Sequence, residues 1–169
     1  MKKLKKLLLL TIVFASLMSC SKDDDGGDGG DAASGIIKAK VDGAQFSSME
    51  ITSFASKTSG GGQNTLALQG NTASQGISMT IFGYEGVGTY ELNDSNVFII
   101  ASYIEPKVSD PTNSPTWTAP YQDSGVVGEI KISEETSTHV IGTFKFKAKS
   151  TTNSSMKNIT DGSFNLKKQ

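Results

Sequence analysis

Two residues with reactive side chains occur only once in the 169-residue chain: Cys20, with its thiol, and His139, with its imidazole. Cys20 follows four lysines and an apolar run from Leu7 to Met18, which together are typical of a secretory signal. The run is about a dozen residues long, whereas a membrane-spanning helix needs roughly 20. We therefore expect residues 1–19 to be removed on export, so that Cys20 becomes the first residue.

The residues before Cys20 indicate what happens to its thiol. The ending Leu17-Met18-Ser19-Cys20 resembles the lipobox of bacterial lipoproteins. The resemblance implies a diacylglycerol and an N-acyl chain on Cys20, and two or more chains make membrane anchoring stable. A signal cut elsewhere would instead leave Cys20 as a free thiol. If the thiol is lipidated, the exported domain has no cysteine left and folds without a disulfide.

A short charged stretch follows the cysteine. Lys22, Asp23, Asp24 and Asp25 resemble the acidic surface-export signal of Bacteroidota lipoproteins, which implies display on the outer leaflet of the outer membrane. The alternative is a periplasm-facing lipoprotein in which this stretch is only a solvated tether, since Gly and like charges keep a chain extended. The predicted organisation is a signal over residues 1–19, a lipidated cysteine and tether over 20–34, and a β domain over 35–169.

Charge is concentrated in the tether. Removing four signal lysines from 16 basic and 17 acidic residues leaves 12 and 17, a net charge of −5. Residues 21–33 hold one Lys and five Asp, which accounts for −4, so the domain is close to neutral. The chain contains no Arg and therefore no bidentate fork for phosphate or guanine. This composition argues against nucleic acid as a partner.

The residues that could support catalysis or metal binding do not form a recognisable set. His139 has no Cys or carboxylate at ligand spacing, and no Gly-x-Ser-x-Gly elbow is present. Glu129, Glu134 and Glu135 are the candidate carboxylates for glycoside hydrolysis, but the first points out from a predicted strand and the others lie in a turn. Asn93–Asn96 offers oxygen ligands for calcium, yet it lacks the length and closing Glu of an EF-hand loop. We predict a non-catalytic protein with no cofactor and no metal site.

From Gly35 onward the pattern is that of short β-strands. Apolar residues alternate with polar ones in several segments, and Gly, Asn, Asp and Ser separate these segments. Asp42-Gly43 predicts a two-residue hairpin, and Asp161-Gly162 predicts a turn or bulge. In the closing third, Val140, Gly142, Phe144, Phe146 and Ala148 should face inward. The predicted fold is all-β: a single antiparallel β-sandwich or flattened β-barrel of about nine to ten strands.

Two segments depart from simple alternation. Val97–Ile104 is apolar on both faces, so we expect a central strand covered on both sides. Residues 105–125 contain all four prolines together with Trp117 and Tyr121, so we expect a long loop and no central strand. The loop is either a lid over one end of the core or an exposed binding surface. In the second case Trp117, Tyr121 and Tyr103 are the candidate ligand-binding residues.

Four short motifs, taken in order, resemble a family of Bacteroidota lipoproteins whose domain has no known function. The resemblance covers roughly residues 35–167. The motifs are Lys40-Val41-Asp42-Gly43 with Phe46, Gly88-Thr89-Tyr90, Gly142-Thr143-Phe144-Lys145-Phe146 and Ile159-Thr160-Asp161-Gly162-Ser163-Phe164-Asn165. The family brings no catalytic or binding residues that could be carried over.

Two functional hypotheses follow for the β domain. In the first, the domain is a binding or interaction module for a glycan, a protein or an envelope component, which it binds through the aromatic residues of the 105–125 loop. In the second, the strands enclose a small apolar ligand, as lipocalins do. A filled core with an exposed Trp117 would favour the first, and an open internal cavity would favour the second.

Overall fold

The computed structural model describes residues 32–169, which form eleven β-strands and two short 3₁₀ turns and contain no α-helix. The strands are β1 (Ile36–Val41), β2 (Ala44–Ser47), β3 (Phe54–Gly60), β4 (Gln63–Asn71), β5 (Gly76–Phe82), β6 (Gly88–Asn93), β7 (Ile99–Ile104), β8 (Thr116–Ala119), β9 (Val126–Glu135), β10 (His139–Ser150) and β11 (Met156–Lys167). The 3₁₀ turns cover Glu50–Thr52 and Pro111–Asn113.

All paired strands are antiparallel and belong to one sheet, in the order β2-β1-β11-β10-β8-β7-β5-β4-β3. The predicted all-β antiparallel fold is confirmed, with eleven strands where nine or ten were expected. β10 is the branch point because its second edge pairs with two strands. Its residues Val140–Phe146 pair with β9, which also pairs with β6, and its residues Lys149 and Ser150 pair with β8.

The sheet curls into a half-barrel, so that its two parts face each other. Ala55 of β3 forms a parallel bridge with Lys168, and its carbonyl accepts a hydrogen bond of 2.9 Å from the backbone N–H of Gln169. In the interior, β4 approaches β1 closely. A Cβ on Gly70 would lie 3.0 Å from Cδ1 of Ile37, so glycine at this position permits the contact.

The two predicted Asp-Gly features are both present. Asp42 and Gly43 have φ values of 49° and 84°, as a tight hairpin with two left-handed central residues requires, and they join β1 to β2. Asp161 has φ 50° and lies where the register of β11 shifts against β1 and β10, which makes Asp161-Gly162 a bulge.

Strand alternation was also predicted correctly in β10. The five side chains expected to face inward are buried, and Thr143, Lys145, Lys147 and Lys149 lie on the opposite face. The inward side chains of the whole sheet pack into a single core cluster. Its largest fully buried members include Tyr84, Tyr103, Phe46 and Phe164. Large side chains therefore fill the space between the two parts of the sheet.

The prediction for Val97–Ile104 was half wrong. β7 is central, because it lies between β5 and β8, but only one of its faces is covered. Ile99, Ala101 and Tyr103 are buried, whereas Ile100 is 38 % exposed and Phe98 is 61 % exposed. The strand begins only at Ile99, so two of the apolar residues precede it. Ile100 then faces solvent because strand side chains alternate between faces.

The prediction that residues 105–125 hold no central strand was wrong. β8 occupies Thr116–Ala119 and lies between β7 and β10 in the sheet. Proline has no backbone N–H and cannot donate a hydrogen bond to a neighbouring strand. Pro115 and Pro120 flank the strand, however, and the four residues between them can pair on both sides.

Among residues 32–169, no helix has the length and apolar character needed to cross a bilayer.

Candidate binding surface

The structure buries two of the three aromatic residues predicted to bind a ligand. Trp117 is 6 % exposed, Tyr103 is fully buried, and their ring centroids lie 5.6 Å apart. The indole N–H of Trp117 donates a 2.9 Å hydrogen bond to Oγ of Ser155. Tyr121 is half-buried, with Nζ of Lys149 5.6 Å from its ring centroid. Trp117 therefore has the position expected of a lid that closes the core, and it offers no exposed platform.

A charged network surrounds the buried Tyr103. Its hydroxyl donates a 3.0 Å hydrogen bond to Glu105, and Nζ of Lys157 lies 5.8 Å from its ring centroid. Lys157 also contacts Glu105 at 3.5 Å and Asp42 at 3.1 Å. Burial and the neighbouring Glu105 carboxylate raise the pKa of Tyr103. Burial alone would lower the pKa of Lys157, but Asp42 and Glu105 raise it above its ordinary value.

The same three residue types occur again beyond the other end of β5. Tyr84 is 1 % exposed and donates a 2.9 Å hydrogen bond to Glu135, and Nζ of Lys57 lies 5.2 Å from its ring centroid. Lys57 and Lys168 bind Glu135 at 3.0 and 2.7 Å. Burial would raise the pKa of Glu135, but hydrogen bonds from Lys168, Lys57 and Tyr84 lower it to about 2.

In these two Tyr–Glu–Lys networks, a glutamate at the edge of the core accepts a hydrogen bond from the hydroxyl group of a buried tyrosine. Burial, followed by the hydrogen-bonded Glu135, raises the pKa of Tyr84 just as burial and Glu105 do for Tyr103. A tyrosine with a raised pKa stays protonated at neutral pH, so neither hydroxyl is activated as a base or nucleophile. Charge-assisted hydrogen bonds of this kind stabilise a fold. We therefore interpret both networks as structural.

The remaining candidates for reactive chemistry are engaged in local contacts. Nε2 of His139 lies 3.1 Å from Oγ of Ser34, and its Nδ1 lies 2.9 Å from Oγ1 of Thr138. Glu129 forms an exposed ion pair of 2.9 Å with Lys145. Glu134 is exposed at the end of β9, and Glu135 belongs to the Tyr84 network rather than to a turn.

The Asn93–Asn96 turn uses its amide oxygens internally. Oδ1 of Asn93 accepts hydrogen bonds from the backbone and side chain of Ser95, and Oδ1 of Asn96 accepts one from the N–H of Phe98. The described part of the chain brings together no group of three or more His, Cys, Asp or Glu side chains that could hold a metal ion. The turn is a hydrogen-bonded loop between β6 and β7.

The feature that the structure adds is a large uncharged outer surface on β3, β4, β5, β7 and β8. We call it the neutral face. Cross-strand register places its strand residues on one side of the sheet, and Phe98 lies in the turn just before β7. All of these residues are half-buried or exposed. The neutral face consists of Phe54, Ser56, Thr58, Thr65, Ala67, Gln69, Asn71, Ser78, Thr80, Phe82, Phe98, Ile100, Ser102, Ile104, Thr116 and Thr118.

The outer surface on β1, β6, β9, β10 and β11 is different. We call it the charged face, and it carries Lys38, Lys40, Glu91, Glu129, Lys131, Lys145, Lys147 and Lys149. Lys149 pairs with Thr118, so it lies at the border with the neutral face. Charged residues make up 20 % of the chain, so several would be expected among the residues of the neutral face. The domain is therefore close to neutral overall, but its charged residues lie on one part of the outer surface and are absent from the other.

Exposed apolar side chains concentrate at one end of the neutral face. The backbone N–H of Phe82 donates a 2.9 Å hydrogen bond to the carbonyl of Phe98, which places the two residues side by side. Phe82 is 42 % exposed and Phe98 is 61 % exposed, with Ile100 beside them. Exposed aromatic groups of this kind mark interaction sites. Sequence reasoning missed Phe98 and Ile100 because it assigned Val97–Ile104 to a strand covered on both sides, and it did not single out Phe82.

Two open clefts lie outside the neutral face. One, of about 380 Å³, crosses the charged face between Glu91 and Thr160. The other, of about 600 Å³, lies between the 3₁₀ turn at Glu50–Thr52 and the end of the chain, and Ile51 beside it is 92 % exposed. Both clefts open to solvent, and neither lies within the core.

The predicted lipidation and export residues, Cys20, Lys22, Asp23, Asp24 and Asp25, lie outside the described residues. The tether predicted over 20–34 is described only in its last residues, from Ala32.

Comparison with known proteins gives one result. The family model called domain of unknown function DUF6252 matches residues 33–166, which is most of the chain and includes all of its strands but the last residue of β11. No curated protein and no solved structure matches the chain. Because that match covers the two halves of the sheet and the core between them, the chain belongs to the DUF6252 family.

Proposed function

We propose that this protein is a Bacteroidota lipoprotein, anchored by Cys20 in the outer membrane and displayed at the cell surface, and that it is a non-catalytic binding module. The neutral face is its binding surface. The observation that carries the proposal is an uncharged sheet surface across five strands with Phe82 and Phe98 exposed at one end. The aromatic loop around Trp117 is not the binding surface, because Trp117 is buried.

The anchor is supported by the position of the cysteine. Cys20 ends the apolar segment at the place where the lipobox requires it, and no other Cys is present in the chain. About a dozen residues, mostly Gly and Asp, separate Cys20 from the domain, so the anchor and the domain are linked by a spacer. A binding surface on the side of the domain is accessible in that arrangement.

The carrier hypothesis has weaker support. The inward residues of both parts of the sheet form one cluster, and large side chains such as Tyr84 and Phe164 are almost fully buried within it. A lipocalin-like carrier needs unfilled space between its sheets.

Lipidation and display are tested separately in cells that express the full chain. A fatty-acid analogue should label the wild-type protein, and the Cys20→Ala variant should take up no label. Added protease should digest the wild-type protein on intact cells. Replacement of Lys22, Asp23, Asp24 and Asp25 by Ala should protect the protein until the cells are lysed. Equal labelling of the Cys20→Ala variant would exclude the anchor, and protease resistance of the wild type would exclude surface display.

Binding through the neutral face is tested with a single charge. Ser78 is exposed in the middle of this face, between Gln69 and Ser102 in neighbouring strands. Ser78→Lys should abolish the adhesion of protein-coated beads to envelope or polysaccharide fractions. Thr89→Lys, on the outer side of β6, is the matched control and should retain adhesion. Equal adhesion of both variants would place the binding surface elsewhere.

A further inference from the structure

We infer that the neutral face binds an uncharged polysaccharide, with Phe82 and Phe98 as the stacking platform for sugar rings. The inference rests on the proposed binding function and names the ligand class of the same surface. Three features of the described residues carry it. They are two exposed aromatic side chains on hydrogen-bonded backbone segments, polar side chains on the same face that make no intramolecular hydrogen bond, and the absence of charge from the neutral face.

The backbones of Phe82 and Phe98 are neighbours, and both side chains are exposed. Phe82 and Phe98 lie on neighbouring chain segments joined by a backbone hydrogen bond of 2.9 Å, and neighbouring strands run about 4.8 Å apart. Phe82 lies on the outer side of β5, and Phe98 is exposed in the turn just before β7. Ile100 extends the apolar surface along β7. The C–H faces of sugar rings are apolar and pack against such side chains in the way that other apolar groups do.

Other rows of the neutral face present hydrogen-bonding groups that the protein itself does not use. Within residues 32–169, no intramolecular hydrogen bond involves the side chains of Gln69, Ser78, Thr80, Ser102 or Thr118. Register aligns Gln69, Ser78, Ser102 and Thr118 in one row across four strands. Phe54 of β3 continues this row at one end, and Lys149 of the charged face continues it at the other. Sugar hydroxyl groups both donate and accept hydrogen bonds, and hydroxyl and amide side chains can do the same.

Because the neutral face carries no charged side chain, it favours an uncharged ligand over a charged one. Nucleic acids and anionic lipid headgroups bind through Lys and Arg, which the neutral face lacks. Specific protein interfaces favour a central aromatic or Arg anchor within a largely apolar core. Here the most exposed apolar side chains lie at one end, and Phe54 and Ile104 are half-buried elsewhere on the face. Small polar side chains occupy most of the remaining surface. A neutral polysaccharide needs no compensating charge. Its sugar rings can pack against the apolar end of the face, and its hydroxyl groups can hydrogen-bond to the polar side chains.

The shape favours a polymer over a small molecule. Five strands span roughly 19 Å from the first to the last at about 4.8 Å each. The face is an open surface, whereas small ligands bind in concave pockets that enclose most of their area. A chain of several sugar units can lie across the neutral face, and its ends can extend beyond the domain.

Affinity electrophoresis of the full-length protein in detergent provides the test. The gels contain one of several neutral polysaccharides (a linear α-glucan, a β-glucan, a mannan and a xylan) or one of two acidic ones (alginate and polygalacturonate). We expect at least one neutral polysaccharide to retard the wild type and the acidic ones to have no effect. Retardation should persist in 1 M salt, because the recognised ligand carries no charge.

Variants then locate the site. Phe82→Ala and Phe98→Ala should each weaken the retardation at least tenfold. Val126→Ala is the matched control, because Val126 is 58 % exposed but lies on β9, outside the neutral face. Each variant is first shown to be folded by its urea unfolding curve, followed through Trp117 fluorescence. Unchanged retardation of both Phe variants overturns the inference.

The outcomes separate this inference from the proposed function. Failure of every neutral polysaccharide to retard the wild type overturns the glycan inference. If envelope proteins then bind the wild type and Ser78→Lys abolishes that binding, the neutral face is still a binding surface and only the ligand class is wrong. Preference for the acidic polysaccharides also overturns the inference. If Ser78→Lys has no effect on any binding, both the inference and the proposed function fail.

Discussion

Gly142 of β10 lies directly opposite Phe164 of β11, and on the same strands Phe144 lies opposite Gly162. A Cβ on Gly142 would be 2.6 Å from Cζ of Phe164, and a Cβ on Gly162 would be 2.7 Å from Cγ of Phe144. Each phenyl ring therefore occupies the space that a side chain on the opposite glycine would need. Aromatic side chains that cover cross-strand glycines in this way also help to define strand register.

Gly142→Ala tests this packing. The added methyl group would meet both the ring of Phe164 and the carbonyl of Lys131, so we expect a loss of about 1–3 kcal/mol in the free energy of unfolding. The measurement is urea denaturation. Gly60→Ala is the control, because a Cβ there meets nothing within 4 Å. Equal midpoints for the two variants would show that the ring does not require the glycine.

The Tyr84–Glu135 network predicts a pH dependence. The pKa of Glu135 is about 2 in the folded protein and ordinarily 4.5, so its contribution is fully present above about pH 4.5 and is lost as the pH falls through about 2. At pH 7 we expect Glu135→Gln to lower the free energy of unfolding by about 1–3 kcal/mol. The difference between this variant and the wild type should shrink as the pH is lowered from 5 toward 2.

Glu134→Gln is the matched control for that experiment. Glu134 is the neighbouring residue and is exposed, so the same chemical change should leave stability nearly unaltered at every pH. A constant difference between wild type and Glu135→Gln down to pH 2 would contradict the assignment of the titrating group.

The buried indole of Trp117 predicts a spectroscopic signature. Because the chain has only this tryptophan, its fluorescence reports one site, and folded protein should show blue-shifted emission and weak quenching by acrylamide. Ser155→Ala removes the acceptor of the indole N–H and should cost about 1–3 kcal/mol. Ser137→Ala, in an exposed turn, should cost much less. Strong quenching in the folded state would contradict the lid arrangement.

The hairpin at Asp42 predicts different effects for two substitutions. Asp42→Asn keeps a residue that tolerates the left-handed conformation and loses only the ion pair with Lys157, so we expect a change below about 1 kcal/mol. Asp42→Ala adds the strain of a left-handed alanine, about 1–2 kcal/mol. It also removes the 2.9 Å hydrogen bond that Asn158 donates through its backbone N–H. Thermal unfolding of the two variants measures the difference, and equal transition temperatures would contradict it.

The local sequence pattern was sufficient to predict several features of the fold. Alternation in β10 predicted its inward residues, because side chains on a strand alternate between faces whatever surrounds the strand. Asp42-Gly43 predicted its hairpin because few dipeptides adopt two left-handed conformations at low cost. Pattern was insufficient for β8, because that strand forms only between the edges that β7 and β10 present to it.

The sequence by itself determined the all-β antiparallel class, the Asp-Gly turns and the concentration of charge in the segment after Cys20, all of which depend on residues close together in the chain. Tertiary structure decided that Trp117 is buried and that Phe82 and Phe98 are exposed side by side. It also decided that uncharged residues from five strands form one surface. These outcomes depend on which strands become neighbours when the sheet curls, and that pairing is set by packing between residues distant in sequence.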